Sequence, residues 1–189
     1  MISELTIKNV KNEGNYYFMD FKQDLEKIWA PWRSHDLIAE GYKKWDCLFC
    51  GLKESKEDEK NLILNRGETC FCVMNLFPYN NGHLMVAPYR HLSSFEELLP
   101  NELSEMTSMI QKEISILKKL YNPNGFNVGM NIGTAAGAGV AGHLHWHIVP
   151  RWSGDSNFMP VIGKTDVVSV SLSTSYKYLK EANLNYNKD

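Results

Sequence analysis

An α+β fold, with an antiparallel sheet and one long helix ahead of its last strands, is what three features of this sequence predict. Short apolar segments alternate with turn residues, a single stretch carries helical periodicity, and a histidine-rich strand follows a small-residue loop. Strands interrupted by one long helix, rather than regular strand–helix alternation, argue for an antiparallel sheet. Residues 70–77 read as a strand, and Pro78-Tyr79-Asn80-Asn81-Gly82 supplies a turn with Asn-Gly at its end. His83 to Ala87 forms the return strand, closed by Pro88. Ser94 with Glu97 three residues later predicts a capping box on a short helical turn.

The long helix spans 100–121. Pro100 suits a first turn, and Leu103, Met106, Ile110, Ile114, Leu117 and Tyr121 recur at three- or four-residue steps. After Asn124-Gly125, residues 126–132 read as a strand. The loop Gly133 to Gly142 leads into a strand over 143–149, which Pro150 is expected to stop. Beyond it come a Gly-Asp turn, a Val-rich segment around Val167–Val170 and a terminal helix near 176–182. Residues 1–25 show no sustained period; Trp29-Ala30-Pro31-Trp32-Arg33 follows, with Pro31 blocking a helix interior. Gly51 to Asn61 is a charged run that reads as a solvated face.

Composition narrows the function. The net charge of −2 offers no general polycation, so any phosphate site is local and no polymeric nucleic acid is expected as partner. No stretch approaches 18 apolar residues and no signal-peptide layout opens the chain, so the expected place is the cytoplasm, away from membranes. In a reducing compartment Cys47 and Cys50 read as metal ligands or redox thiols. Cys70 and Cys72, inside an apolar run, read as small buried hydrophobes.

The chemistry concentrates in His143, His145 and His147. Alternate residues of a strand share a face, so the three imidazoles line one side while Leu144, Trp146 and Ile148 enter the core. A solvated sheet face normally mixes polar residues; here half of the six histidines fall within five positions. Imidazole can attack phosphorus, move protons near neutrality or bind metal. Evenly spaced strand residues span about 13 Å from first to last at about 3.3 Å per residue, too far to converge on one ion. Divided roles are therefore expected. Upstream, Gly133-Thr134-Ala135-Ala136-Gly137-Ala138-Gly139 offers backbone amides that can approach an anion, without the Gly-Lys-Ser/Thr ending of a P-loop.

His143-Leu144-His145-Trp146-His147-Ile148-Val149-Pro150 resembles the His-x-His-x-His signature of the histidine triad (HIT) superfamily. Asn75, His83-Leu84-Met85-Val86-Ala87-Pro88, His91 and Asn131-Ile132-Gly133 match in the same order, over roughly residues 45–150. Trp29–Arg33 and the stretch Pro150 to Met159 are similar to the bacterial diadenosine tetraphosphate phosphorylase branch. The resemblance implies a HIT-like fold, usually a homodimer, acting on a dinucleoside polyphosphate with inorganic phosphate as second substrate. It implies His145 as nucleophile, His147 handling charge or protons on the same phosphate, and Asn131 beside the reacting centre. It further implies His83 near the other phosphates and Asn75 near the ribose.

One departure stands out: many members carry glutamine four residues before the first histidine, where this chain has Gly139. Phosphate contacts then fall to the loop amides around Gly133, Gly137 and Gly139, or to the Thr134 hydroxyl. The resemblance also implies a structural zinc held by Cys47, Cys50, His91 and His143, and Mg2+ accompanying the substrate. The expected organisation is an extension over 1–44, a catalytic domain over 45–160 and a C-terminal extension over 161–189 packing on it. Hydrolysis of a dinucleotide or nucleoside phosphoramidate competes with phosphorolysis; a nucleotide-binding protein without turnover is a third reading.

Overall fold

The computed structural model describes residues 45–155 and 169–186. The segment Trp29–Arg33, residues 1–25, residues 156–159 and Val167 with Val168 lie outside them. The first element is a short helix, α1 (Leu48–Glu54), which starts right after Cys47 and buries Phe49 and Leu52. Strands β1 (Ile63–Arg66), β2 (Cys70–Met74) and β3 (Leu84–Pro88) follow, then α2 (Pro100–Tyr121), β4 (Gly125–Met130), β5 (Trp146–Arg151) and α3 (Leu172–Asn185). The strands form one antiparallel sheet in the order β1-β2-β3-β5-β4.

Every residue of β2 and β3 is buried because both faces of that half of the sheet are covered. On one face Cys70, Cys72, Leu84, Val86 and Ile148 meet α2 and α3. On the other, Phe71, Val73, Met85 and Ala87 meet Phe49 and Leu52 of α1. Cys70 and Cys72 are fully buried, and burial pushes the Cys70 thiol up to about 12. They act as small hydrophobes.

The long helix has the bounds its periodicity predicts. Pro100 occupies the first turn, and Asn122 ends the helix in the left-handed region at φ 45°. Glu102 accepts the Leu99 N–H at 2.8 Å and takes a bidentate bond from Arg90 at 2.6 and 2.7 Å. That pair holds the loop after β3 against the start of α2.

Several boundaries differ from the sequence reading. The strand over 70–77 ends at Met74, because Asn75 turns the chain by accepting the Phe77 N–H at 2.9 Å. Gly82 closes this turn at φ 72°, where a Cβ would lie 2.9 Å from Leu117. The predicted capping box at Ser94 does not form: Ser94 makes no side-chain cap bond, and its backbone carbonyl takes the Glu97 N–H at 3.3 Å. The strand over 143–149 is shifted to Trp146–Arg151. Leu144 bonds the Leu92 carbonyl at 2.7 Å instead of a ladder partner, so the first two histidines precede the ladder. Pro150 lies inside β5, beyond the last β3 partner at Leu84↔Ile148. Its carbonyl accepts from Asn80 at 3.2 Å, and its missing N–H removes no bond to β3.

Strand β1, absent from the sequence reading, is one edge of the sheet. Lys180 of α3 bonds its edge carbonyls at Ile63 and Leu64 (3.3 and 2.9 Å), and Tyr176 adds a bond to Ile63 at 3.3 Å. The C-terminal helix thereby seals this edge. The other edge, β4, presents Val128 40% exposed.

Glu113 lies fully buried on the core face of α2, which periodicity alone does not anticipate. Its Oε2 accepts from Asn183 Nδ2 of α3 at 3.0 Å. Glu113 Oε1 and Asn183 Oδ1 have no hydrogen-bond partner among the described residues. A proton on the carboxyl would supply a donor among these buried acceptors, and burial does raise its pKa despite the Asn183 hydrogen bond and Lys112 and Lys180 nearby. A carboxyl raised in this way stabilises the fold while protonated, and the contribution is lost as pH rises through the raised value. Glu113→Gln, which keeps the paired amide geometry without ionising, should therefore be more stable than the parent at alkaline pH by about 1 kcal/mol. Urea unfolding across pH checks this; parallel pH profiles for the two proteins would contradict it.

Candidate active site and metal cluster

The histidines lie on the sheet face that α1 partly covers. His147 pairs with Met85 on β3 and Gly129 on β4, and His145 precedes the ladder by one residue. Six successive ring contacts, with centroids 4.5–5.2 Å apart, run through His91, His143, Phe49, His145, His147, His83 and Tyr79. Phe49 is the piece the sequence reading missed: lying between Cys47 and Cys50, it wedges its ring against both His143 and His145. Far from a solvated face, His143 is 1% and His145 5% exposed.

Cys47, Cys50, His91 and His143 converge at one end of this row, with their four ligand atoms all within 4.8 Å of one another. Cys50 follows Cys47 by three residues at the start of α1, which turns both thiols the same way. Cys47 Sγ lies 3.4 Å from His143 Nδ1, and Cys50 Sγ lies 3.3 Å from His91 Nδ1 and 3.6 Å from His143 Nδ1. These separations match the edges of a tetrahedron with sulfur at about 2.3 Å and nitrogen at about 2.0 Å from a shared ion. His143 Nε2–H donates to the Pro88 carbonyl at 2.9 Å, which leaves Nδ1 as the lone-pair nitrogen toward the sulfurs. The cluster can bind a metal.

Two residues on, the tautomer reverses. His145 Nδ1–H donates to the His143 carbonyl at 2.9 Å, so Nε2 carries the free lone pair. Burial lowers the His145 pKa, keeping the ring neutral. At the next histidine a relay sets the proton. The Tyr79 N–H donates to His83 Nδ1 at 3.1 Å, so His83 Nε2–H donates to His147 Nδ1 at 2.9 Å. His147 is left with a proton on Nε2. Burial, followed by the neighbouring imidazoles, lowers His83 to about 3 and His147 to about 4. The arrangement thus places an unprotonated nucleophilic nitrogen on His145 beside a neutral N–H donor on His147.

Asn75 joins this group: its N–H donates to the His83 carbonyl at 2.9 Å, and its Nδ2 lies 3.3 Å from the His83 ring. Asn131, just past β4, shares a cavity of about 290 Å³ with His147. Gly133, Thr134, Gly137 and Gly139 are exposed, and the loop's hydrogen bond to the histidines comes from further along, where the Val140 carbonyl accepts the His143 N–H at 3.3 Å. Three of its amides are spent internally: Ala136 and Ala138 on the Gly133 carbonyl, Gly137 on that of Thr134. Tyr79, Asn127 and Arg151, which line the same cavity as His147, were not singled out from the sequence. Tyr79 falls in the turn after β2, Asn127 in the strand read over 126–132, and Arg151 just past the strand that Pro150 is expected to stop.

The HIT domain family matches residues 55–154. The chain is 40% identical over 165 residues to an "AP-4-A phosphorylase" of Mycobacterium tuberculosis, covering 84% of each chain. It is 33% identical over 93 residues to a "Bis(5'-nucleosyl)-tetraphosphatase [asymmetrical]" of Schizosaccharomyces pombe, covering 49% of this chain and 50% of that one. Among solved structures, a Zn-bound histidine triad family protein from Mycobacterium smegmatis superposes with a TM-score of 0.62. That match has 22% identity and covers 76% of this chain and 96% of the other, a likeness of fold. With its ordered histidines and this span of similarity, the chain belongs to the HIT family.

Proposed function

We propose that the protein cleaves diadenosine tetraphosphate by phosphorolysis, giving ATP and ADP through a nucleotidyl-histidine intermediate. The observation that carries this reading is the bond from His145 Nδ1–H to the His143 carbonyl, which leaves Nε2 of a neutral imidazole free to attack. In the first step Nε2 bonds to the α-phosphorus, the bond from that phosphorus to the bridging oxygen breaks, and ATP departs. The His147 Nε2–H donates a hydrogen bond to the leaving oxygen. Positive charge growing on the His145 ring strengthens its bond to the carbonyl. In the second step an oxygen of inorganic phosphate attacks the same phosphorus, the P–N bond breaks, and ADP is released. Splitting one displacement in two leaves the acceptor open to choice. The 40% identity to an AP-4-A phosphorylase favours phosphate; hydrolysis, the activity in the name of the fission-yeast relative, is the second reading.

Cys47, Cys50, His91 and His143 suit zinc: two thiolates and two imidazoles at tetrahedral separations leave no open position, so the ion is structural. Bound there, it would neutralise the two thiolates and tie α1 to the segment that carries His145. Mg2+ would arrive with the substrate phosphates rather than in a carboxylate cage. The catalytic domain over 45–160 would be flanked by an N-terminal extension over 1–44 and a C-terminal extension over 161–189. A homodimer is favoured by the contrast between the sheet edges: α3 seals β1, while no described segment covers the β4 edge, which a second copy can pair.

Formation of ATP and ADP should require orthophosphate, and His145→Ala should lower kcat by roughly 10³-fold or more while nucleotide still binds. Chromatography of products with and without phosphate decides the acceptor; equal turnover to AMP and ATP in phosphate-free buffer would favour hydrolysis. For the metal, protein made without added zinc should carry one ion per chain by elemental analysis. Cys47→Ala should lose it and melt roughly 5 °C lower or more, the shift from losing about 2 kcal/mol in a chain of this size. Parent purified without stoichiometric metal, with no drop in melting temperature on Cys47→Ala, would rule the zinc site out.

A further inference from the structure

Among the described residues, the helices leave one part of the sheet open. α2 and α3 cover one face, and α1 covers the β2–β3 half of the other, up to His145. What remains is the floor made by β4 and β5 on the histidine face. Register brings Asn127 and Gly129 opposite Val149 and His147, so these residues, with Arg151 further along, share that floor. Tyr79 walls it, 56% exposed, with its ring 5.9 Å from that of His147. Together they bound the cavity of about 290 Å³, at the lower end of small-molecule pockets.

Three properties limit what this groove takes. It is lined by His147 and not by His145, so it adjoins the donor rather than the nucleophile. It carries little net charge, because Arg151 is paired with Asp155 at 2.6 and 2.7 Å, and no other cation lines it among the described residues. It is nevertheless ordered for polar recognition. Arg151 Nη1 donates to Asn127 Oδ1 at 3.0 Å, turning the Nδ2 donors of Asn127 to a ligand, and Asn80 Nδ2 fixes Asp155 at 2.8 Å. A neutral groove with an exposed aromatic wall and fixed amides fits a nucleoside better than a chain of phosphates.

We infer that this groove binds the nucleoside part of the leaving nucleotide, with Tyr79 offering its ring to the base and Asn127 and Arg151 holding polar edges. The inference rests on the nucleotidyl-histidine reading, since an in-line displacement sends the leaving group away from His145 toward His147. The distance from His147 to Arg151, about 13 Å at the usual strand rise, gives a polyphosphate nucleotide room to extend along β5. The groove therefore selects for substrates whose leaving group is itself a nucleotide.

Gly129 supplies a clean obstruction. A Cβ built there meets nothing within 4 Å among the described residues, so a larger side chain starts into the groove from open space. The test compares kcat/KM for diadenosine tetraphosphate with that for adenosine 5′-phosphoramidate, whose leaving group is only ammonia, in Gly129→Leu and Asn127→Ala. Both variants should lower the ratio of the two values by about tenfold or more, the scale of one lost stacking platform. The inhibition constant of ATP should rise by a similar factor. An unchanged ratio with unchanged ATP inhibition in both variants would overturn the assignment. If the parent turns over neither substrate, the nucleotidyl-histidine reading falls first and takes the inference with it.

Discussion

The His143 carbonyl accepts the Nδ1–H of His145 at 2.9 Å, while the ring of His143 closes the Cys47, Cys50 and His91 cluster. One residue thus serves two ends of the site through different atoms. Its Nε2–H is fixed on the Pro88 carbonyl, its Nδ1 faces the sulfurs, and its peptide oxygen sets the tautomer of the next imidazole, His145. If His143 moved, the lone pair of His145 would lose its aim. A metal held by the cluster would stiffen the backbone that orients the proposed nucleophile without touching substrate, which is how a closed four-ligand site can matter to chemistry.

Burial is the second half of this arrangement. An exposed histidine is partly protonated near neutrality and is then no nucleophile. Phe49 from α1 and the rings of His147 and His83 remove water from the row, and desolvation lowers the pKa of His83, His145 and His147. The cost of burying polar nitrogens is met by directed bonds: Tyr79 N–H to His83, His83 to His147, His145 to His143. Neutrality and tautomer are set by the fold, so the site needs no proton transfer to become reactive.

Much of this was legible because it is local. Pro100 and the three-and-four spacing located α2 to the residue, and the alternation of His143, His145 and His147 gave their shared face. The ligand set Cys47, Cys50, His91 and His143 came from resemblance, and the four atoms do converge. What stayed hidden depends on partners distant in sequence. β1 has only four residues and becomes a strand through β2 on one side and Lys180 and Tyr176 on the other. Glu102 and Glu113 interrupt an apolar stripe and are tolerated because Arg90 and Asn183 meet them. Tyr79 read as a turn residue, yet its backbone N–H determines which nitrogen of His83 carries the proton.

The most direct measurement of the central claim is intact-protein mass spectrometry after mixing with diadenosine tetraphosphate in the absence of phosphate and quenching within a single turnover. The account predicts a mass increase of one adenylyl group, mapped by fragmentation to His145 and discharged as ADP when phosphate is added. No adduct under conditions where product forms, or an adduct on another residue, would contradict it.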